Sequence, residues 1–495
     1  MPNNPTSGPG GLSPQPSSAT RPRSRATRRS NGILDARVKK ISAYQCVLGR
    51  TLNKARCSHE CKCHGLESRL REELLSLATQ PCGQPISFIF DTFTFTPVDA
   101  DQAALFFNHY GHLYHIRKFT LNNNVVKLDT PEEIRPYIIA INNLPLLEEI
   151  SFAGSSLGIW AAYALADALR AKKKLRRADF SDCFTGRGPA EIAPAMDALI
   201  SAFLELPALE TISLSGNAFG PQVAGPLVRL VGGHTPLQEL DINNVGLGPE
   251  TGILFAGALE DLAKNKAAAG APPLRKLLCN RNRLIQDQDE PLFGMAQWAK
   301  ALAAHPQLRT VHLANNGLLH EGMNTIISQG LTHIQGIEEL DLQDNTFTSR
   351  GSTHSELARA AANWPRLREL TLNDSFLGSR GAALAIAALA GVQDSKLEVL
   401  KVAGANLNPA NTLALAGVFD RLSSLRELEL NMNNIPEGDT GYESLKRLLL
   451  ERGAERNVKT RIDDLEDPSY SEESRSTNGS RNGSNSSGSS GAQSS

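Results

Sequence analysis

Apolar residues recur along most of the chain at fixed positions of one twelve-residue pattern. In its clearest copies, residues 209–220 and 237–248, apolar residues occupy positions 1, 4, 6 and 11, and glycine occupies position 12. From position 4 to position 7 apolar and polar residues alternate, and position 8 is polar or glycine. This pattern predicts a short strand with one buried face, followed by a turn.

The spacing of the copies identifies the pattern as a leucine-rich repeat. An opening copy at residues 116–121 is followed by ten clearer ones at intervals of 28 to 37 residues. They begin at Leu147, Leu175, Leu209, Leu237, Leu274, Leu308, Ile337, Leu367, Leu397 and Leu425.

The base period of 28 to 30 residues leaves room for a full helix after each strand. Leucine and alanine recur at helical spacing in residues 160–172, 353–363 and 381–391. The sequence therefore predicts an α/β leucine-rich-repeat solenoid (horseshoe) of about eleven repeats. Its parallel sheet lies inside, its helices lie outside, and its termini are disordered.

Position 9 of the repeat is usually asparagine, whose amide can satisfy backbone groups of the neighbouring turn. These asparagines are therefore interpreted as scaffold: Asn217, Asn282, Asn316, Asn345 and Asn433. Cys183 fills the same position in the second clear copy, so we do not expect it to act as a nucleophile.

Composition divides the rest of the chain. We predict a disordered basic arm at 1–32, an N-terminal extension that is partly ordered at best at 33–115, and a repeat domain at 116–452. An acidic and then Ser/Asn/Gly-rich disordered tail follows at 453–495.

Residues 1–64 contain 12 Lys and Arg against two acidic residues, although the whole chain has a formal charge of −1. Seven cysteines and no apolar leader favour the reducing, soluble interior of a cell.

One cluster resembles a metal site, and its candidate ligands are Cys57, Cys61, Cys63 and His64. Structural zinc commonly uses two short-spaced ligand pairs some distance apart. Here the candidates lie within eight residues and no second pair follows, so unpaired thiols are the favoured interpretation.

Four polar residues do not belong to the repeat scaffold. Arg187 lies in an insertion at residues 182–189, Asn244 and Arg281 occupy position 8, and Arg283 occupies position 10. A second insertion covers residues 265–273. Because insertions in a solenoid form loops, we expect these side chains to share one edge of the sheet, beside both loops.

Several motifs resemble the Ran GTPase-activating protein family, particularly its fungal members. They are Phe-Ser-Asp-Cys-Phe-Thr-Gly-Arg at 180–187, Leu-Ser-Gly-Asn-Ala-Phe-Gly-Pro at 214–221, Asn-Arg-Asn-Arg-Leu at 280–284 and Leu-Asp-Leu-Gln-Asp-Asn-Thr-Phe-Thr at 340–348. The resemblance covers about residues 116–452 and includes the insertions and the residues outside the scaffold.

The resemblance implies an activator of GTP hydrolysis by Ran, with a role in nucleocytoplasmic transport. Asn244 matches an asparagine that orients the catalytic glutamine of the GTPase, and Arg187 matches an arginine that stays out of the nucleotide site. Arg283, with Arg281, Asp182 and Asn243, is then expected to bind the partner.

The resemblance also implies the cofactors, partners and location of the protein. It implies no active site and no cofactor in this chain, since the partner binds GTP and Mg²⁺. The implied partner is a Ran-type small GTPase in its GTP state, alone or with a Ran-binding protein. The implied location is cytoplasmic, with a perinuclear position as the narrower expectation.

Two alternatives stay open. A leucine-rich-repeat scaffold or inhibitor would bind through its concave face and would not depend on Arg187 or Asn244. A zinc-dependent or nucleic-acid-binding N-terminal region would depend on the cysteine cluster or the basic arm. The chain also departs from the family where Gly188 and Pro189 follow Arg187, since a basic residue is common there.

Overall fold

The fold is a solenoid of parallel strands and helices, as the sequence predicts. The structure is a computed structural model that describes residues 117–121, 126–285, 290, 292–347 and 355–465, together with the backbone of 92–94. All of them belong to one compact unit that begins at Ile86.

Thirteen strands of the described residues form one parallel sheet, and two more form a small second sheet. In spatial order the large sheet contains β1 (Thr92–Thr94), β2 (Lys118–Thr120), β4 (Glu149–Ser151), β6 (Arg177–Asp179), β7 (Thr211–Ser213), β8 (Glu239–Asp241), β9 (Lys276–Leu278), β10 (Thr310–His312), β11 (Glu339–Asp341), β12 (Glu369–Thr371), β13 (Val399–Lys401), β14 (Glu427–Glu429) and β15 (Arg461–Ile462). The small sheet contains β3 (Lys127–Leu128) and β5 (Ser156–Leu157).

Eleven α-helices of the described residues connect the strands. They are α1 (Pro131–Asn142), α2 (Ile159–Arg170), α3 (Pro189–Leu204), α4 (Ala224–Gly233), α5 (Gly248–Ala269), α6 (Met295–Ala303), α7 (His320–Gln329), α8 (Ser355–Ala361), α9 (Gly378–Gly391), α10 (Pro409–Val418) and α11 (Thr440–Arg456). Helices α2, α8 and α9 confirm the three that the sequence places at 160–172, 353–363 and 381–391.

The core lies between the sheet and the helices. Strand residues at positions 4 and 6 are buried, as Ile212 and Leu214 illustrate in β7 and just after it, and they face apolar helix residues such as Leu199 and Phe203 of α3. Each repeat therefore buries its apolar strand face against its own helix and its neighbours.

Position 9 carries the asparagine ladder. Asn217 Oδ1 accepts hydrogen bonds from the backbone N–H groups of Cys183 and Phe184 at 2.8 and 2.9 Å. Its Nδ2 donates to the carbonyls of Phe180 and Leu214 at 2.9 and 2.7 Å. Since buried backbone groups need partners, the amide stabilises the turn, and its role is structural. All five predicted ladder asparagines are at most 6% exposed.

The second insertion is not a loop beside the candidate site. Residues 265–269 extend α5, which is 22 residues long and ends at Gly270 in the left-handed conformation. In a parallel solenoid the end of this helix lies at the opposite edge of the sheet from the carboxyl ends of the strands. The expectation that both insertions border the site was therefore wrong for residues 265–273, because the alanine-rich residues 265–269 continue the helix and 270–273 follow its end.

The ordered domain extends past both boundaries drawn from the sequence. Strand β1 pairs with β2, although residue 92 lies in the segment assigned to the N-terminal extension. At the other end α11 runs to Arg456 and β15 pairs with β14. Asp463 then accepts backbone hydrogen bonds from Leu430 and Asn431 at 2.7 and 2.9 Å. Residues 453–465 therefore close the sheet and are not tail.

The candidate metal ligands Cys57, Cys61, Cys63 and His64 lie outside the described residues, as do the arm at 1–32 and the end of the tail. Within the described residues no group of three or more His, Cys, Asp or Glu side chains could hold a metal ion. No helix in the described part of the chain is long and apolar enough to cross a membrane.

Two buried histidines make the stability of the domain dependent on pH. Burial lowers the pKa of His234 and of His305. Their Nε2 atoms lie 2.6 and 2.9 Å from the carbonyl oxygens of Leu209 and Leu259. The folded chain therefore holds both rings neutral at pH values where the unfolded chain protonates them.

We expect the free energy of unfolding to decrease as the pH falls below about 6.5, because the unfolded state then binds more protons. The His234→Gln/His305→Gln variant should lose less stability than the wild type between pH 7 and pH 5 in thermal denaturation. His333→Gln is the control, since His333 is exposed. A pH profile unchanged by the double substitution would contradict the assignment.

Candidate partner-binding site

The candidate residues lie at the edge of the sheet where the strands have their carboxyl ends. Asp182, Asn244 and Arg281 all occupy position 8, after β6, β8 and β9 respectively. Because these strands are parallel and in register, their carboxyl ends meet at one edge. We call this edge, from Asp182 to Arg283, the ledge.

Position 8 has a left-handed backbone in all ten repeats, with φ between 52° and 76°. In the first nine of these repeats its backbone N–H donates to the carbonyl of position 7 in the next repeat, as from Asn244 to Asn280 at 2.7 Å and from Arg281 to Ala314 at 2.9 Å. The ten residues are Gly154, Asp182, Gly216, Asn244, Arg281, Asn315, Asp344, Asp374, Gly404 and Met432.

Glycine, asparagine and aspartate tolerate this conformation, whereas long side chains do not favour it. Arg281 is one of two exceptions at position 8, and Arg283, with φ 52°, is left-handed at position 10. Each costs about 1–2 kcal/mol relative to a relaxed backbone. Strain of this kind at an exposed edge is a reason to look for a function at these two arginines.

The ledge presents one neutral amide and two cations to solvent. Asn244, Arg281 and Arg283 are exposed. The side chain of Asn244 makes no hydrogen bond, and the two arginines form no ion pair, with any residue that the structure describes. Rigid backbone geometry thus holds polar groups that are open to a ligand.

Asn243 has a structural contact that the sequence did not indicate. Its Oδ1 accepts from the backbone N–H of Asn280 at 2.7 Å, and Asn280 Oδ1 accepts from Ala314 in the same way at 2.7 Å. Position 7 therefore forms a second, shorter amide ladder. Partner binding by Asn243 stays a prediction, and its carbonyl oxygen is already used within the repeats.

Arg187 is held inside the domain. Its side chain is 7% exposed. Nε donates to Ser156 Oγ at 2.8 Å and one Nη donates to the Ser156 carbonyl at 3.2 Å. The other Nη forms an ion pair with Asp129, and Glu191 lies 3.8 Å away. We call Asp129 and Ser156 the arginine clamp.

The small sheet positions the clamp. Strand β3 pairs with β5 so that Lys127 lies opposite Ser156, and the Gly158 N–H donates to the Leu128 carbonyl at 2.7 Å. A side chain on Gly158 would come within 3.0 Å of the Asp129 Cα, so the two segments touch. The Lys127 ammonium and then the Arg187 guanidinium lower the pKa of Asp129, which stays ionised.

Arg187 is joined to the ledge by the loop at residues 180–188. The Arg187 N–H donates to the Phe184 carbonyl at 3.1 Å, and Thr185 Oγ1 donates to Asp182 and to the Gly216 carbonyl. Gly186 has φ 83° and nothing within 4 Å of a Cβ built on it, so the turn needs glycine for its conformation and not for a close approach. The clamp therefore fixes the loop that carries Asp182.

Sequence reasoning missed Asp129 and Ser156. Asp129 precedes the capping box of α1, in which Thr130 and Glu133 exchange hydrogen bonds, and this local role is all that its sequence context indicates. No periodicity links it to Arg187, because the contact depends on the pairing of β3 with β5.

The described part of the ledge contains no activated nucleophile. Cys183 and Cys279 are buried. Burial raises the pKa of the Cys183 thiol, and it raises the pKa of Cys279 to about 12. Thiols in this state are inert. The arrangement can bind and orient a partner through an amide and charged donors.

Comparisons with known proteins identify relatives of the chain. No protein-family model matches the chain. It is 31% identical over 339 residues to Ran GTPase-activating protein 1 of Saccharomyces cerevisiae, covering 66% of this chain and 81% of that protein. It is 34% identical over 208 residues to Ran GTPase-activating protein 1 of Xenopus laevis, covering 41% of this chain and 34% of that longer protein.

Two further similarities cover less of the chain or are lower in identity. The chain is 32% identical over 153 residues to the ribonuclease inhibitor of Sus scrofa, covering 31% of this chain and 32% of that protein. Among solved structures, an internalin of Listeria monocytogenes aligns with a TM-score of 0.36 at 15% identity, covering 66% of this chain and 83% of the internalin.

Proposed function

The chain belongs to the Ran GTPase-activating protein family, and from this premise we propose that it stimulates GTP hydrolysis by a Ran-type small GTPase. In this proposal the ledge docks on the switch regions of the GTPase and orients its catalytic glutamine. The observation that carries the proposal is an exposed amide at Asn244, on a ledge whose loop at 180–188 is supported by Arg187, an arginine with its guanidinium used within the domain.

Hydrolysis of GTP requires an oriented water and stabilised charge at the phosphates, and small GTPases position the water with a glutamine. A neutral amide can both donate to and accept from a glutamine amide. Asn244 has this chemistry on a rigid turn, since its φ of 53° and its backbone bond to Asn280 fix the start of the side chain. Its role is to restrict the glutamine to the productive orientation.

No arginine finger is part of the proposal. The Arg187 side chain would have to break its contacts with Ser156 and Asp129 to reach a partner's nucleotide. Loss of the two hydrogen bonds to Ser156 and of the ion pair with Asp129 would oppose that movement. Arg187 acts by supporting the loop at 180–188.

Arg281 and Arg283 supply the docking charges. Both are exposed and strained, and neither pairs with a described carboxylate. Arginine forms bidentate, charge-assisted hydrogen bonds with carboxylates and carbonyl groups, which gives both affinity and orientation. Asp182 would supply a complementary acceptor at the other end of the ledge.

The partner brings the reaction centre. In the proposal GTP and Mg²⁺ are bound by the GTPase, this chain has no cofactor and no active site of its own, and a Ran-binding protein can join the complex. The proposed place of action is the cytoplasm near the nucleus, where such an activator supports nucleocytoplasmic transport.

The direct test is release of phosphate from GTP-loaded Ran, with and without the chain. We expect an acceleration of several orders of magnitude, in line with other GTPase activators. A chain beginning at Ile86, which retains β1, should be as active as the full chain. Absence of stimulation by the full chain would exclude the function.

A repeat scaffold or inhibitor is the alternative. It would bind its partner through the concave face, so it would accelerate no hydrolysis and would not depend on Asn244. The chain is similar in sequence to about a third of the ribonuclease inhibitor of Sus scrofa. The same phosphate-release assay separates the two functions.

A further inference from the structure

Three large apolar side chains are exposed beside the two ledge arginines. Leu254 on α5 is 56% exposed, and Leu292 and Phe293, which lie just before α6, are 54% and 40% exposed. Single exposed apolar side chains are normal on a protein surface, whereas a group of them marks a contact surface. We call these three residues the apolar patch.

The apolar patch is one surface because the two segments that carry it touch. A Cβ on Gly294 would come within 2.6 Å of the Ile253 side chain. The backbone that follows Phe293 therefore packs directly on the residue that precedes Leu254.

Hydrogen bonds hold the segment of Leu292 and Phe293 in place. The Met295 N–H donates to the Leu292 carbonyl at 3.0 Å, and the Trp298 N–H donates to the Gly294 carbonyl at 3.1 Å. Trp298 is itself buried in the core. Because the backbone is already fixed, a partner that covers the patch loses little free energy in ordering it.

The repeat that carries the two ledge arginines is lengthened at this edge. Helix α5 begins at Gly248, which is position 12 of its repeat, whereas α6 begins only at Met295, well after position 12 at Ile285. Extra residues within a solenoid repeat form loops on one face, which is often the face that binds a partner. Leu292 and Phe293 belong to this extra connection.

The apolar patch lies close to Arg281 and Arg283. The Gly248 N–H donates to the carbonyl of Asn282, the residue between the two arginines, at 3.0 Å. Leu254 follows Gly248 by six residues of α5, which corresponds to a rise of about 9 Å. The patch therefore begins within roughly 15 Å of both arginines.

A partner that binds the ledge has to extend beyond it. The ledge spans the three strand spacings from β6 to β9, about 15 Å. A standard protein–protein interface covers about 800 Å² on each partner, which is a surface about 30 Å across. The ledge supplies polar and charged groups, and the apolar patch, within reach of the same interface, supplies the apolar part that such interfaces contain.

We propose that the apolar patch binds an apolar side chain of the GTPase that docks on the ledge, next to carboxylates of the GTPase that pair with Arg281 and Arg283, and this inference rests on the proposed function. Both arginines are exposed and form no ion pair with any described residue, so a surface with acidic groups beside an apolar one is complementary to them. The patch has no polar side chain that could orient the glutamine. It therefore contributes affinity and leaves the chemical step unchanged.

The test uses the full chain with Leu254→Gln and Leu292→Gln together. Both side chains are more than half exposed, so the melting temperature should change by less than about 2 °C. Loss of two apolar contacts should raise the KM for GTP-loaded Ran about tenfold or more, with kcat within about twofold of the wild type. The matched control is Leu413→Gln/Leu450→Gln, at side chains 60% and 64% exposed on α10 and α11, and its KM should not change.

Salt distinguishes the apolar patch from the arginines. Salt screens ion pairs at an exposed edge, but it does not screen the burial of apolar surface. The rise in KM caused by Leu254→Gln/Leu292→Gln should therefore be the same, within about twofold, at about 50 mM and about 300 mM salt, whereas the rise caused by Arg283→Ala should shrink. A leucine effect that disappears at the higher salt concentration would show that the substitutions act through the arginines, and would overturn the inference.

The remaining outcomes separate the two proposals. If the wild type stimulates Ran and the leucine variant keeps the wild-type KM, the apolar patch is not a contact and the proposed function stands. A fall in kcat without a rise in KM also overturns the inference. If the double variant melts well below the wild type, Leu292→Gln alone takes its place and has to raise KM about threefold or more. If the wild type neither binds nor stimulates GTP-loaded Ran, the proposed function fails and the inference fails with it.

Discussion

Replacing Asn244 by glycine is expected to lower the kcat of Ran-catalysed GTP hydrolysis about 100-fold in the presence of the chain, because the glutamine loses its orienting amide. Glycine is the sharper substitution than alanine, since it removes the amide without straining a backbone that has φ 53°. KM should change by less than about threefold, as expected for an interaction made mainly in the transition state.

The control for this prediction is Asn315→Gly. Asn315 occupies the same position two repeats further along, has φ 54° and is exposed. Its variant should activate Ran normally. Asn244→Asp tests the chemistry, because it keeps the shape and the backbone preference but loses the donor. Full activity in Asn244→Gly would refute the role assigned to this residue.

The second large effect is expected from the arginine clamp. Arg187→Ala removes a guanidinium that is 7% exposed, so Ser156 loses two donors and Asp129 keeps only its ion pair with Lys127. We expect a loss of about 1–3 kcal/mol in the free energy of unfolding and a fall of about 100-fold or more in kcat/KM, because the loop at 180–188 loses its support. Chemical denaturation and phosphate release measure the two effects.

Arg187→Lys distinguishes support from contact with the partner. Lysine keeps the charge, but a single ammonium cannot serve Ser156 Oγ, the Ser156 carbonyl and Asp129 together. If Arg187 works through the clamp, Arg187→Lys should stay defective and Asp129→Asn should reproduce part of the defect. Arg229→Ala, at an exposed ion pair with Asp197, should have no effect. Normal activity in Asp129→Asn with low activity in Arg187→Ala would favour direct contact.

The repeats were predictable because the residues that define each repeat lie close together in the sequence. The apolar residues at positions 1, 4 and 6 and the asparagine at position 9 act within a repeat or on the next one, so periodicity alone located the strands and the ladder. The exposed positions of Asn244, Arg281 and Arg283 followed from the same register.

The clamp and the domain ends could not be found in this way. Arg187 meets Asp129 and Ser156 through the β3–β5 pair, whose two-residue strands have no periodic signal. Asp463 belongs to a polar stretch, and only its contacts with Leu430 and Asn431 show that it closes the sheet. Residues 265–269 were predicted to form an inserted loop, but they belong to a helix. The spacing between repeats is the same whether a helix or a loop is longer, so it cannot distinguish the two.

The left-handed turn at position 8 separates folding from recognition. Its backbone bond to the next repeat is the same whether the residue is Gly216, Asn244 or Arg281. The backbone contact between repeats therefore does not depend on which side chain occupies this position. The solenoid offers a row of independent sites at roughly 5 Å intervals. A repeat protein of this type can acquire a new partner by exchanging single edge residues, with no need to redesign what holds it together.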